Sequence, residues 1–188
     1  MSPETWIAYV AALTVLSVIP GPSVLLVVGQ ALAKGLRGAF SCVAGDLLGG
    51  VVMMTAAFIG LGTVLAASSE LYLVIKWAGV AYMVWLGLAQ FRAARSLREA
   101  DLQQPARSLD KRSFRAGFFT GILNPKAVLF YLAFLAQFID PTNPLMPQFL
   151  ILMATSTAVV CVVLGGYAIL AVRVRRVFQS LRARRRLG

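Results

Sequence analysis

The chain has 188 residues, 59% of them hydrophobic and only 13% charged, with a mean hydropathy of +0.79. Soluble domains carry about a quarter charged residues, so a soluble core of this length cannot hide so much apolar surface. The net charge of +11 does not indicate nucleic acid, because almost all of it flanks apolar runs; the chain has no histidine, which removes the commonest metal ligand and the commonest neutral-pH acid or base.

The N-terminus, "MSPETW", has no positive n-region, and the apolar run behind it is too long for a signal peptide, so it reads as a retained span. Five runs reach the roughly 20 residues that cross a bilayer. They are Trp6–Gly29, Ala39–Ala66, Leu71–Phe91, Phe114–Phe138 and Met146–Val172. All are expected to be helices, because lipid offers the backbone no hydrogen-bond partner. The second and fifth are long enough to tilt or kink. The expectation is an all-α integral membrane protein, one transporter domain over 1–188, with a polar loop at 92–113 and a basic tail at 173–188.

The basic residues order these spans. Lys34 and Arg37 fall in the connection 30–37. Arg92, Arg95, Arg98, Arg107, Lys111, Arg112 and Arg115 fall around the 92–113 loop, and the tail holds seven arginines. The opposite connections, "MSPET", "SSE" and "DPTNP", hold none. The positive-inside rule puts the N-terminus outside and the tail in the cytoplasm. Lys76, about five residues inside a span end, reads as an anchor that snorkels to the interface. Cys42 and Cys161, both in apolar runs, read as small buried hydrophobes.

Three features are out of place in lipid: Pro20-Gly21-Pro22 in the first span, Asp46 in the second, and Asn124-Pro125-Lys126 in the fourth. At about 1.5 Å per residue, Pro22, Asp46 and Lys126 each lie about 13–18 Å from the nearest basic flank, in one slab near mid-membrane. Two prolines remove two backbone donors and free the carbonyls of residues 16 and 18. Each feature also has a structural explanation: prolines kink membrane helices, and a carboxylate near an interface can be half-solvated. Together they point to a cavity. A buried lysine costs at least about 2.5 kcal/mol even on insertion scales unless it is paired or wetted. Broken helices offer N-termini to a carboxylate and free carbonyls to an ammonium, and a zwitterionic amino acid carries both groups. Ser23, beside Pro22, is a hydrogen-bond donor for substrate or for the freed backbone. Gly45-x-x-x-Gly49 and Gly117-x-x-x-Gly121 have the small-xxx-small pattern of close helix approach. The breaks "VIPGPSV" and "ILNPKAV" lie in spans expected to run in opposite directions, as an inverted repeat requires.

The blocks "IPGPSVLLVVGQALAKGLRGAFSCVAGDLLG", "KWAGVAYMVWLGL" and "FRAGFFTGILNPKAVLFYLAFLAQF" resemble the lysine exporter family, the LysE/RhtB-type amino-acid efflux proteins of bacterial inner membranes. The resemblance runs from about Trp6 to Val172. It implies export of amino acids or close derivatives, driven by the proton gradient. The residues themselves make Pro20, Gly21, Pro22, Ser23, Asp46, Asn124, Pro125 and Lys126 the candidate substrate-binding or coupling residues of a proton antiporter. The resemblance also implies six spans in a 3+3 inverted repeat, and this chain departs by lacking the last. The alternative is therefore a truncated, non-transporting or regulatory relative. A homodimer is one way to cover the faces that a sixth span would cover. The partners expected are an amino-acid substrate, protons and the lipid bilayer; no cofactor, metal or nucleic acid is called for. A channel is disfavoured by the lack of a repeated filter motif, and an enzyme by the lack of histidine, of a nucleophile elbow and of paired intramembrane carboxylates.

Overall fold

The computed structural model describes residues 1–67, 110–140 and 142–187; the expected span at 71–91, Lys76 and most of the 92–113 loop lie outside the described residues. Those described residues form five α-helices and a short 3-10 turn. They are α1 (Pro3–Val18), α2 (Pro22–Ala67), α3 (Asp110–Leu123), α4 (Pro125–Phe134), the turn Leu135–Gln137, and α5 (Leu145–Leu187).

Local chemistry sets the helix ends. Ser2 caps α1, accepting a 3.2 Å bond from the Thr5 amide, with Pro3 in the first helical turn. The first expected span is split, because α1 stops at Val18 and α2 restarts at Pro22. The fourth is split at Asn124. Asn124 caps α4 by accepting a 3.1 Å bond from the Lys126 amide, and Pro125 takes the first helical position, where no amide is needed. The Asn-Pro pair is thus a start signal as much as a break.

α2 corrects the expected connection at 30–37. Helix continues on both sides of a single residue, Gly35, whose φ of 73° and ψ of −166° suit only glycine. The chain reverses there. On one limb Val24, Val27 and Ala31 pack with Leu164, Ala168 and Val172; on the other Phe40 meets Gly165, and Met53 and Met54 pack with Phe149 and Leu152.

Cross-contacts give relative directions. Trp6 Nε1 donates to Thr155 Oγ1 at 3.1 Å, and Tyr167 Oη donates to the Val18 carbonyl at 2.7 Å, so α1 and α5 run parallel. The second limb of α2 runs antiparallel to α5. It runs parallel to α3, through the glycine pairs noted above. A Cβ on Gly45 would overlap the Phe114 carbonyl and one on Gly49 the Phe118 carbonyl; reciprocally, Gly117 abuts the Cys42 carbonyl and Gly121 the Asp46 carbonyl. Neither helix surface tolerates a side chain at this crossing. The two broken segments therefore run in opposite directions and meet at their breaks.

The exterior is apolar. Ile7, Val15, Leu25, Ile59, Phe119, Leu123, Val162 and Leu170 are all exposed, on every long described helix. Soluble monomers rarely show contiguous apolar patches above a few hundred Å²; lipid is the medium that suits this surface. By length and composition, the stretch Pro22–Gly60, which folds back at Gly35, and α5 over Leu145–Arg175 are apolar enough to cross a membrane. Cys42 is buried as expected, but Cys161 is exposed. In lipid an apolar position need not be an inward one, and sequence apolarity cannot separate the two. α5 continues as helix through the basic stretch expected as a tail, to Leu187.

Candidate functional site

The helix breaks, Asp46 and Lys126 meet around one cavity of about 80 Å³. Gly21, Ser23, Asp46, Asn124 and Lys126 border it; Pro20, Pro22 and Pro125 shape the backbone and do not. Its other walls are mainly apolar, from Leu13, Val24, Met54, Phe130 and Met153, with hydroxyls from Ser156 and Thr157.

The polar groups form two sets. In the first, Ser23 Oγ donates to Asp46 Oδ1 at 2.6 Å and accepts from Asn124 Nδ2 at 2.9 Å. The other end of the Asn124 amide accepts from the Lys126 amide. One chain of hydrogen bonds thus links the start of α4, the start of α2 and the middle of the second limb of α2. Ser23, Asp46 and Asn124 are each less than 9% exposed, and a buried polar group needs such partners.

In the second set, Lys126 Nζ donates to the Leu16 carbonyl at 2.9 Å and to the Ile19 carbonyl at 2.7 Å. Leu16 is one of the two carbonyls freed by the prolines, because residue 20 has no amide. The other, Val18, accepts from Tyr167. Asp46 and Lys126 share the cavity, as expected, but each is bonded to other partners. The lysine answers a backbone break rather than the carboxylate.

Two further clusters escaped the sequence. Toward the start of α1, Tyr9 Oη contacts Ser156 Oγ and donates to the Leu152 carbonyl at 3.4 Å, with its ring edge-on to Phe138. At the other end, fully buried Ser113 accepts from Lys34 Nζ at 2.7 Å and donates to Gln30 at 3.0 Å, tying α2 to α3. Tyrosine and serine in apolar runs carry little signal, since a helical hydroxyl readily bonds its own preceding turn, as Thr157 does to Met153.

A profile of the LysE type translocators matches residues 14–187, with the break, the carboxylate and the Asn-Pro-Lys block all inside the match. The chain belongs to the LysE type translocator family. A homoserine/homoserine lactone efflux protein of Salmonella typhimurium is 37% identical over 175 residues, covering 93% of this chain and 84% of the relative. An uncharacterized membrane protein of Vibrio cholerae is 32% identical, covering 96% and 87%. A leucine efflux protein of Klebsiella pneumoniae is 30% identical over 138 residues, covering 72% and 63%. No solved structure matches the chain. As a LysE type translocator it is a membrane transporter and not an enzyme, and relatives carry the names of amino-acid efflux proteins.

Proposed function

We propose that this translocator exports amino acids or close derivatives from the cytoplasm in exchange for protons, through the cavity at the helix breaks. The single observation that carries this is the meeting of a carboxylate, an ammonium and two unwound backbone segments around one mostly apolar cavity. Unwound backbone at membrane depth is tolerated where it lines a cavity, and paired breaks in oppositely running helices mark transporter binding sites. Asp46 is the titratable group placed to carry the proton, as intramembrane carboxylates do in pumps and transporters. Ser23 and Asn124 position it. The apolar wall receives the substrate side chain.

The names of the relatives sharpen the substrate class. Homoserine and its lactone share a primary amine, whereas the lactone ties up its carboxylate as an ester. A site that serves both must recognise the amine first, and backbone carbonyls at the helix break and a carboxylate do that. The proposed topology is five spans in a bacterial inner membrane, N-terminus outside and basic tail in the cytoplasm, supported by the charge distribution and by the relative directions of α1, α2, α3 and α5.

The test is counterflow in proteoliposomes with the full chain and a panel of labelled amino acids, with and without a pH gradient. Saturable exchange that responds to the gradient, and loses that response in Asp46→Asn, supports proton antiport. Absence of exchange for every amino acid, from protein shown to be folded, favours a non-transporting relative instead.

A further inference from the structure

A lysine ammonium has three N–H groups and no acceptor. Lys126 donates to the Leu16 and Ile19 carbonyls, and no third hydrogen-bond acceptor for it is found among the described residues. The two carbonyls belong to the broken end of α1, and together they form a cradle for one –NH₃⁺ group. The cradle opens on the cavity, because Leu16, Gly21 and Lys126 all border it. A Cβ on Gly21 would stand 3.3 Å from Lys126 Nζ, so glycine at this position keeps the cradle roomy. Its occupant hangs on a flexible four-carbon stem and can leave without any backbone movement.

Resting on the exporter role proposed above, we infer that the Leu16–Ile19 cradle is a primary-ammonium site that Lys126 fills in the absence of substrate. The substrate's ammonium displaces that of Lys126, and the freed lysine turns to the substrate's carboxylate. For a zwitterion the exchange conserves charge in the cavity. One ammonium replaces another on the carbonyls, and a zwitterion brings its own anion for the displaced lysine. Quaternary ammonium compounds, which have no N–H to donate, are excluded. Lys126 is in this sense a tethered stand-in for the substrate, and the end of α1 keeps a hydrogen-bond donor whether or not substrate is bound.

Matched probes separate the two groups. Homoserine and leucine carry amine and carboxylate. Homoserine lactone and leucinamide carry the amine alone, and γ-hydroxybutyrate and isocaproate the carboxylate alone. In the wild-type full chain, Lys126 is labelled by reductive methylation, with formaldehyde and reductant in large excess over the added amines, which react with them too, and read by mass spectrometry. The amine-bearing compounds are expected to raise the labelling of Lys126 several-fold, and the carboxylates to leave it unchanged. In Lys126→Met, leucinamide is expected to bind several-fold tighter than in wild type, having lost its competitor, while leucine gains less because the partner of its carboxylate is gone. In Gly21→Ala both amines weaken several-fold. If Lys126→Met does not fold, the wild-type labelling decides alone. Exchange of these amines with no change at Lys126, or loss of leucinamide binding in folded Lys126→Met, overturns the cradle and leaves the exporter role standing. If no amine is exchanged at all, the exporter role falls and the cradle with it.

Discussion

Ser23 and Asp46, 23 residues apart on the two limbs of α2, are joined by a 2.6 Å hydrogen bond at the wall of the cavity. The Ser23 hydroxyl is also the acceptor for Asn124, so it relays between the carboxylate and the start of α4. Ser23→Ala leaves a buried carboxylate and a buried amide each short of a partner. Such losses cost about 1–3 kcal/mol. The expected outcome is a lower melting temperature in detergent and slower exchange. Ser23→Thr, which keeps the hydroxyl, is expected to restore most of both.

The glycine crossing makes a sharper prediction with an internal control. Gly45→Ala or Gly117→Ala forces a methyl onto a carbonyl oxygen of the facing helix, whereas Gly50→Ala and Gly166→Ala meet nothing within 4 Å. Overpacking typically costs about 1–3 kcal/mol. The first pair is expected to lose thermal stability and yield of folded protein; the second pair is expected to hold wild-type values. Equal behaviour of the two pairs in a melting assay would refute the crossing.

Gly35→Ala tests the reversal inside α2. A side chain at φ 73°, ψ −166° carries strain of about 1–3 kcal/mol. The neighbouring Gly29→Ala, with open space around it and ordinary helical backbone, is the matched control. Limited proteolysis is expected to find new cleavage near residue 35 in the first variant and none in the second.

Ser113 is the hinge of the polar cluster between α2 and α3. Ser113→Ala strips a partner from Lys34 and from Gln30. Hydrogen exchange at the amides of 30–38 and 110–116 is expected to quicken, with exchange near Tyr9 and Ser156 unchanged.

Asp140 gives the pH dependence that can be worked out outside the spans. Thr142 donates to its carboxylate from both side chain and backbone, at 2.7 and 2.9 Å, and Asn143 adds a third bond at 2.7 Å. These hold its pKa below the ordinary carboxylate value of 3.8, the Thr142 hydroxyl foremost. A depressed pKa stabilises the folded turn above the ordinary value, and that stabilisation is lost as pH falls through the folded value. The Thr142 amide is therefore expected to exchange faster, after correction for intrinsic rates, only on strong acidification. Asp140→Asn is expected to abolish that acid transition.

The sequence made the breaks legible because each carries an unambiguous backbone instruction. A proline removes an amide whatever surrounds it, so the Leu16 and Val18 carbonyls had to find other donors, and they did. Asp46 and Lys126 were legible because charge is rare at membrane depth. What could not be read was who bonds to whom. The donors to those carbonyls, Lys126 and Tyr167, come from helices more than a hundred residues away. The roles of Tyr9, Ser156 and Ser113 depend on rotation about the helix axis, which an almost uniformly apolar run does not encode. The same uniformity left the outward face of Cys161 invisible. The tight reversal at Gly35 was hidden because helix-forming residues surround it, and one glycine did what was expected of a longer connection.

The glycine crossing has a mechanical consequence. The carbonyl of Asp46 is itself one of the atoms that Gly121 abuts, and Asn124 follows the last residue of α3, three residues further along the chain. Surfaces meshed at bare backbone can pivot about the point of contact, but sliding would drive side chains into carbonyls. Asp46 and Asn124 are thus mounted on one chassis, whose spacing survives any motion that preserves the crossing. The end of α1 is joined to that chassis through hydrogen bonds from the Lys126 side chain and through the short 19–21 link into α2. Around the cavity, the carboxylate's surroundings are fixed by backbone against backbone, whereas the broken end of α1 is held by side chains, Lys126 on the Leu16 and Ile19 carbonyls and Tyr167 of α5 on the Val18 carbonyl.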